Sequence, residues 1–409
     1  MNKKGFISMT LVYTFLILFL FLMLGVLHAY STKNKFLEAI EDNTNLSIST
    51  PVNYGKTIMQ SLLTSYYAEE SGIIDYSKSS EGRYQTRSGI SQDITSVTDG
   101  LYYTQVVDDE DNNKIHMTEN DKTVYFLRGK IDNNYIVLGN YCWKIYRTNE
   151  DESTRLVFYG KYKSSKCVFS KDDLPLTTYN DNTNDNAYIG YMYGSSSSTY
   201  ATTHLNTNDS TIKIVLDDWY EANLANTSAE NFIDDQVFCN ERTIGTEGVV
   251  NGVTYTSNGY GTSNTLYQSF RRNGTGGNKG NITSMSVAYP IFRCEQSNDK
   301  FTKNSSSGNR NLKYPIGTLT ADEFITAGST FEIDNTTNFL NYNVDLWTMT
   351  PSSFTDGVAK AISVKSTGEL VESDVNKPYY VLPVISIKNT TLITFGDGTV
   401  DSPFRIKEW

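Results

Sequence analysis

"NNYIVLGNYCWKIYRTNEDESTRLVFYGKY", Asn133–Tyr162, is the stretch whose reading decides the fold. It is dense in Tyr, Ile, Val, Leu and Phe, the residues that fit a half-buried pleated surface. "TNEDES" (Thr148–Ser153) interrupts it with turn-forming polar residues. Upstream, "TVYFLRG" (Thr123–Gly129) is a further β run, set off by "KIDNN" (Lys130–Asn134). Together the runs predict a three-stranded meander with Trp143 and Ile145 on one face, because alternate residues of a strand share a face. Beyond it lies a long polar stretch, Lys171–Asp209. Ser210 then caps a predicted helix. Ile212, Val215, Leu216, Trp219 and Leu224 form its apolar face, and Asp217, Asp218 and Glu221 its polar one. Thr320 and Glu323 are spaced as a capping box, opening a short helix that ends near Gly328. From Val344 the pattern returns to short strands. Strands, two short helices and long loops predict an α+β fold.

Composition narrows the class. Hydrophobic residues are 38% of the chain, while Tyr (29) and Phe (19) are abundant. That balance suits a wet extracellular β structure. The formal charge is −11, and Lys and Arg cluster no further than pairs, which excludes a nucleic-acid binder. The four cysteines, Cys142, Cys167, Cys239 and Cys294, are widely spaced and lack neighbouring histidines, so they do not read as a zinc site. In an exported chain they would form two disulfides. Three connectivities exist; Cys142–Cys167 and Cys239–Cys294 are favoured because each closes a local loop.

Phe6–Ala29 carries no Asp, Glu, Lys or Arg. As a helix rising about 1.5 Å per residue it would span a bilayer core of about 30 Å. Leu27 fits poorly at the −3 position of a cleaved secretory signal, so the segment is expected to stay on the chain. Lys3-Lys4-Gly5-Phe6 followed at once by the apolar run resembles the signal of type IV prepilins. That resemblance implies cleavage after Gly5, a mature terminus at Phe6, and an apolar helix that anchors the protein before packing with other pilin-like subunits. Thr10 stands where pilins usually carry Glu, which points toward a minor or capping subunit.

The remainder resembles an uncharacterised surface domain of Gram-positive bacteria. The resemblance runs from about Tyr125 to Ile406 and is carried by "NNYIVLGNYCWKIYRT", "TRLVFYG", "IKIVLDDWYEANL", "VFCNERT", "YPIGTLTADE", "LWTMTPSSF", "YYVLPVISIK" and "GDGTVDSPFRI". Its last third is similar to the closing strands of C-type lectin-like folds, with Leu382 where the pattern usually places Arg. The organisation expected is a prepilin-like signal and transmembrane helix (1–29), a helical stalk (30–70), a linker (71–122) and an extracellular lectin-like head (123–409).

Catalytic constellations are not found. Three histidines, His28, His116 and His204, no G-x-S-x-G, and no cysteine after Cys294 leave neither a nucleophilic triad nor a late cysteine pair. Asp108, Glu110, Asn112 and Glu119 partly imitate a calcium loop, and "YNDNTNDNAY" (Tyr179–Tyr188) is similarly rich in acceptors. For Asp108–Glu119 a solvated acidic turn is the ordinary account and calcium the lesser alternative; the Tyr179–Tyr188 loop is open to the same two readings. "LPLTT" (Leu174–Thr178) lies mid-chain with no apolar tail and reads as a turn, not a sorting signal. Trp143, Trp219 and Trp347 fall in strand or helix patterns and read as core. Loop tyrosines, Tyr188, Tyr191 and Tyr193 or Tyr255, Tyr260 and Tyr267, would offer a platform for sugar rings, although packing is the ordinary role for any one of them. The function expected is a single-pass membrane-anchored surface protein, non-catalytic, whose head binds an extracellular glycan or protein. The alternative is a structural pseudopilin touching only other subunits.

Overall fold

The computed structural model describes residues 99–104 and 114–406, except 197–198, 246, 251, 274–286, 289 and 332–333, with short pieces at 56–58, 68–70, 72–75, 84–86, 91–92 and 107–108. These residues fall in one unit, Gly55–Trp409. The prepilin-like signal, Gly5 and Phe6, the apolar run and Trp409 lie outside the described residues.

The quoted stretch folds as strands, but as one more than expected. After β1 (Gly100–Tyr103) and β2 (Tyr125–Arg128) come β3 (Tyr135–Leu138), β4 (Tyr141–Thr148) and β5 (Thr154–Lys163). β3 and β4 pair antiparallel, Leu138 opposite Tyr141, across a two-residue turn at Gly139-Asn140. Gly139 has φ 61°, the left-handed conformation that the first central position of such a hairpin requires. Glycine there is what cuts the apolar run in two.

A second sheet is built on β6 (Leu346–Thr355), β7 (Val358–Val364) and β8 (Glu369–Asp374), a continuous antiparallel meander. β9 (Val384–Ile387), β10 (Leu392–Phe395) and β11 (Phe404–Ile406) return to the first sheet. β9 lies beside β5, and β11 runs parallel to β3. The first sheet has twelve strands and the second seven, several of only two residues.

Among the described residues there are four helices: α1 (Tyr200–Thr203), α2 (Thr211–Asn223), α3 (Gln268–Asn273) and α4 (Ala321–Ala327). The molecule is therefore mainly β, which corrects the α+β, lectin-like expectation. The two capped helices do form where the sequence placed them. Among the described residues the long polar segments around them fold mostly into strand pairs of two or three residues and single 3₁₀ turns, with the short helices α1 and α3 added. None of the helices among the described residues is long and apolar enough to cross a membrane. β1, from the expected linker, buries Leu101 and Tyr102 against β2. Lys56–Thr57, from the expected stalk, pairs with β10.

One apolar core joins both sheets and α2. Trp143 on β4 meets Phe158 on β5 edge-on at 5.5 Å and Trp219 on α2 at 6.0 Å. Trp347 on β6 packs on Tyr179 at 5.7 Å and donates its indole N–H to Thr177 O. Ser210 caps α2 by accepting from Lys213 N. The helix's polar face is less wet than expected. Asp217 is buried with Lys213, their charges 2.7 Å apart. Both expected disulfides form, Cys142–Cys167 and Cys239–Cys294.

Candidate functional site

The site begins with α4. Thr320 accepts from Glu323 N, and Glu323 returns a carboxylate oxygen to Thr320 N, the reciprocal box the spacing predicted. All seven residues of α4 are buried. Its other polar groups therefore need partners from the sheets. Arg128 donates to Ile325 O and Thr326 O, Tyr146 donates to Glu323 O, and Ala321 N reaches Thr350 Oγ1. The second oxygen of Glu323 receives Arg147 Nε at 2.8 Å and Arg155 Nη1 at 3.0 Å. Burial pulls the Glu323 carboxyl upward, but Arg155 and Arg147 outweigh it and hold the group below its ordinary range.

Neighbouring residues of a regular strand point to opposite faces. Tyr146 and Arg147 nonetheless both reach α4. A register shift in the β4–β5 pairing between Ile145 and Arg147 makes that possible.

Outside this bed lies an open cleft of ≈ 290 Å³. Arg147, Asn149 and Glu150 form one wall, from the end of β4. Glu119 and Val124 come from the segment before β2, Gln236 and Val237 from the run into Cys239, Phe292 and Cys294 from the end of the loop closed by the second disulfide, and Lys300 from just beyond it. A smaller void of ≈ 30 Å³ lies next to it, sharing Arg147, Val237 and Phe292 and reaching Glu323. It has room for a single water.

The walls are fastened. Arg147 stacks over the Phe292 ring at 4.7 Å. Gln236 Nε2 donates to Asp151 and Asp234, each at 2.7 Å. The Asp235 carboxylate accepts three successive backbone N–H groups, from Lys303, Asn304 and Ser305, which fixes the loop whose Ser307 edges the cleft. Glu119 pairs with Lys300 at 2.5 Å, and its backbone N–H donates to Glu150. Burial, reinforced by the charge of Glu119, pushes the Glu150 carboxyl up to about 6 against that hydrogen bond.

Of the four calcium-loop candidates the structure describes two, Asp108 and Glu119. Asp108 lies opposite Lys114 in a two-residue antiparallel strand pair. Glu119 lies beyond that pair with the Lys300 ammonium on its carboxylate. Glu110 and Asn112 lie outside the described residues. Among the described residues no group of three or more His, Cys, Asp or Glu is placed to hold a metal.

The six loop tyrosines differ in burial. Tyr191 and Tyr267 are fully buried, and Tyr255 nearly so. Tyr267 OH donates to Asn186 Oδ1, Tyr191 packs edge-on against Phe301, and Tyr255 joins a small cluster with Val250 and Leu266. A buried ring presents no face to a sugar. These loops are drawn onto the core partly by Arg242, which is buried and donates to Met192 O, Asn206 Oδ1 and Asp299. Tyr188 and Tyr193 remain half-buried against each other, and Tyr260 half-buried nearby.

Of the cleft residues only Glu119, as a calcium candidate, and Cys294, as a disulfide cysteine, were singled out from the sequence. Glu150 sat inside a segment read as a turn, and Phe292 carried no signal at all. Comparison with known proteins finds no family model, no curated protein and no solved structure that matches this chain.

Proposed function

We propose that the protein is an exported surface protein whose unit Gly55–Trp409 binds an external ligand, a glycan or a protein segment, in the cleft beside Glu119, Glu150 and Phe292, without catalysis. The observation that carries this reading is the cleft itself. It is concave, mixes an aromatic face with polar groups, and is held by ion pairs and a disulfide, so little order is lost on binding. The two disulfides support an oxidising compartment. Phe6–Ala29 and the Gly5-Phe6 junction support attachment to a membrane and pilin-type processing from sequence alone.

Glycan and peptide arrays probed with the full chain in detergent test the reading. Binding is expected, and Ser307→Trp, which places a large ring at the cleft's exposed edge, is expected to abolish it. Binding that survives Ser307→Trp would move the ligand elsewhere. N-terminal sequencing of the native protein addresses processing. A chain starting at Phe6 fits the pilin-type signal, and one starting at Met1 removes it.

A further inference from the structure

We infer that the cleft receives a cationic side chain, a lysine or arginine of a partner polypeptide, on the Glu150 carboxylate; this rests on the reading of the cleft as the ligand site. Four charged side chains line it: Glu119, Arg147, Glu150 and Lys300. Three are already committed. Lys300 is paired with Glu119, and Arg147 gives Nε to Glu323 and Nη1 to Thr148 O and Asn149 Oδ1. Among the described residues Glu150 accepts the backbone N–H of Glu119 and forms no ion pair. Among them it is the cleft charge still open to an incoming partner.

The charges that face Glu150 are accounted for. Arg147 and Lys122 favour its ionised form, and Glu119 opposes it. Arg147 and Arg155 share the carboxylate of Glu323, and Arg293, Glu241 and Asp322 line the same void, so the charges under the cleft floor balance. Neither Arg147 nor Arg155 hydrogen-bonds to Glu150. A half-dry carboxylate of this kind gains most from a donor that brings its own positive charge.

Size and field agree with that choice. Ligand pockets commonly hold about 300–1,000 Å³. At ≈ 290 Å³ this cleft suits one long side chain better than an extended oligosaccharide. Phe292 and Val237 offer apolar surface for a methylene stem, and a ring within reach of a cation adds attraction. The chain's −11 charge draws basic partners toward it. Because burial raises Glu150 to about 6, proton and ligand compete there. The site is open to a cation at neutral pH and closes as pH falls through that value.

The test is calorimetric titration of the full chain with Nα-acetyl-lysine methylamide and Nα-acetyl-arginine methylamide at pH 7.5 and 5.0. The uncharged norleucine analogue is the control. Binding is expected at pH 7.5, weakened about tenfold at pH 5.0 and by at least as much in Glu150→Gln, whose melting temperature should stay near that of the parent. The norleucine analogue should not bind. Equal binding of norleucine, or binding indifferent to Glu150→Gln, overturns the inference. A glycan bound by the same protein and lost in Ser307→Trp, with no response to either cationic probe, also overturns it but leaves the cleft reading standing. No binding of any probe, on arrays or in solution, removes both.

Discussion

Lys144 and Arg147 lie three residues apart on β4, both are buried, and they are accommodated in opposite ways. Arg147 shares Glu323 with Arg155 and remains charged within a hydrogen-bonded network. Lys144 has no carboxylate. Its ammonium donates to Phe339 O and lies 4.6 Å from the ring centre of Tyr342, 4.9 Å from Tyr159 and 5.6 Å from Tyr135. Burial alone brings its pKa down to about 7. The contrast teaches what a β-rich interior does with a cation. A guanidinium with several fixed donors can bind a carboxylate and carbonyls together, whereas an ammonium surrounded by rings tends toward its neutral form.

The largest effect expected is at Glu323. Glu323→Ala leaves two buried guanidinium groups without their shared anion. Removing one partner of a buried pair costs about 3–5 kcal/mol. Chemical denaturation should show a loss of that size; a loss below about 1 kcal/mol would mean that the pairing is no more than surface-like. Removal of the Cys239–Cys294 disulfide, by Ser at both positions, comes next. Closing a loop of this length stabilises a chain by roughly 2–5 kcal/mol. The same unfolding experiment measures it, and binding by the cleft should weaken in parallel because Cys294 lines it.

Lys144→Met sharpens the contrast from the other side. The folded pKa, about 7, lies below the usual lysine value of 10.5. Below pH 7 both states are protonated, and the folded state bears the full penalty of burying the charge. Between about 7 and 10.5 the unfolded state holds more protons, so wild-type stability rises with pH. The substitution should therefore stabilise the protein most near pH 6, by on the order of a few kcal/mol, with the advantage shrinking toward pH 10. Melting curves across this range would show a flat difference if Lys144 were ordinarily solvated. The smallest effect is expected at Lys313–Glu221, a fully exposed pair. Lys313→Ala should leave the melting temperature unchanged, since solvent and salt screen such contacts.

Local signals were legible in the sequence. The turn residues around the meander, the Ser210 cap, the Thr320–Glu323 box and both disulfide loops each lie within one short segment, and the structure keeps them. Hairpin formation at Gly139 was missed because "NNYIVLGNYCWKIYRT" reads as one run unless the glycine's left-handed conformation is weighed. The two-residue strand pairs and the short helices α1 and α3 were missed because the polar loops carry no periodic signal for them. The cleft was not legible because it is assembled from Glu119, Arg147, Glu150, Gln236, Phe292 and Lys300, brought together only by long-range pairing. The tyrosine loops misled for a related reason. Their Gly, Ser and Asn content resembles exposed binding loops, while burial of Tyr191 and Tyr267 depends on Arg242 and Asn186, which bind segments distant in sequence.

The most direct measurement is amide hydrogen exchange on the full chain with and without the ligand found on the arrays. The account predicts new protection at Glu119–Val124, Arg147–Glu150, Gln236–Cys239 and Phe292–Lys300, four of the segments that line the cleft. Protection confined to Tyr188–Tyr193 or Tyr255–Tyr260, with those four segments unchanged, would contradict it and return the ligand to the tyrosine loops.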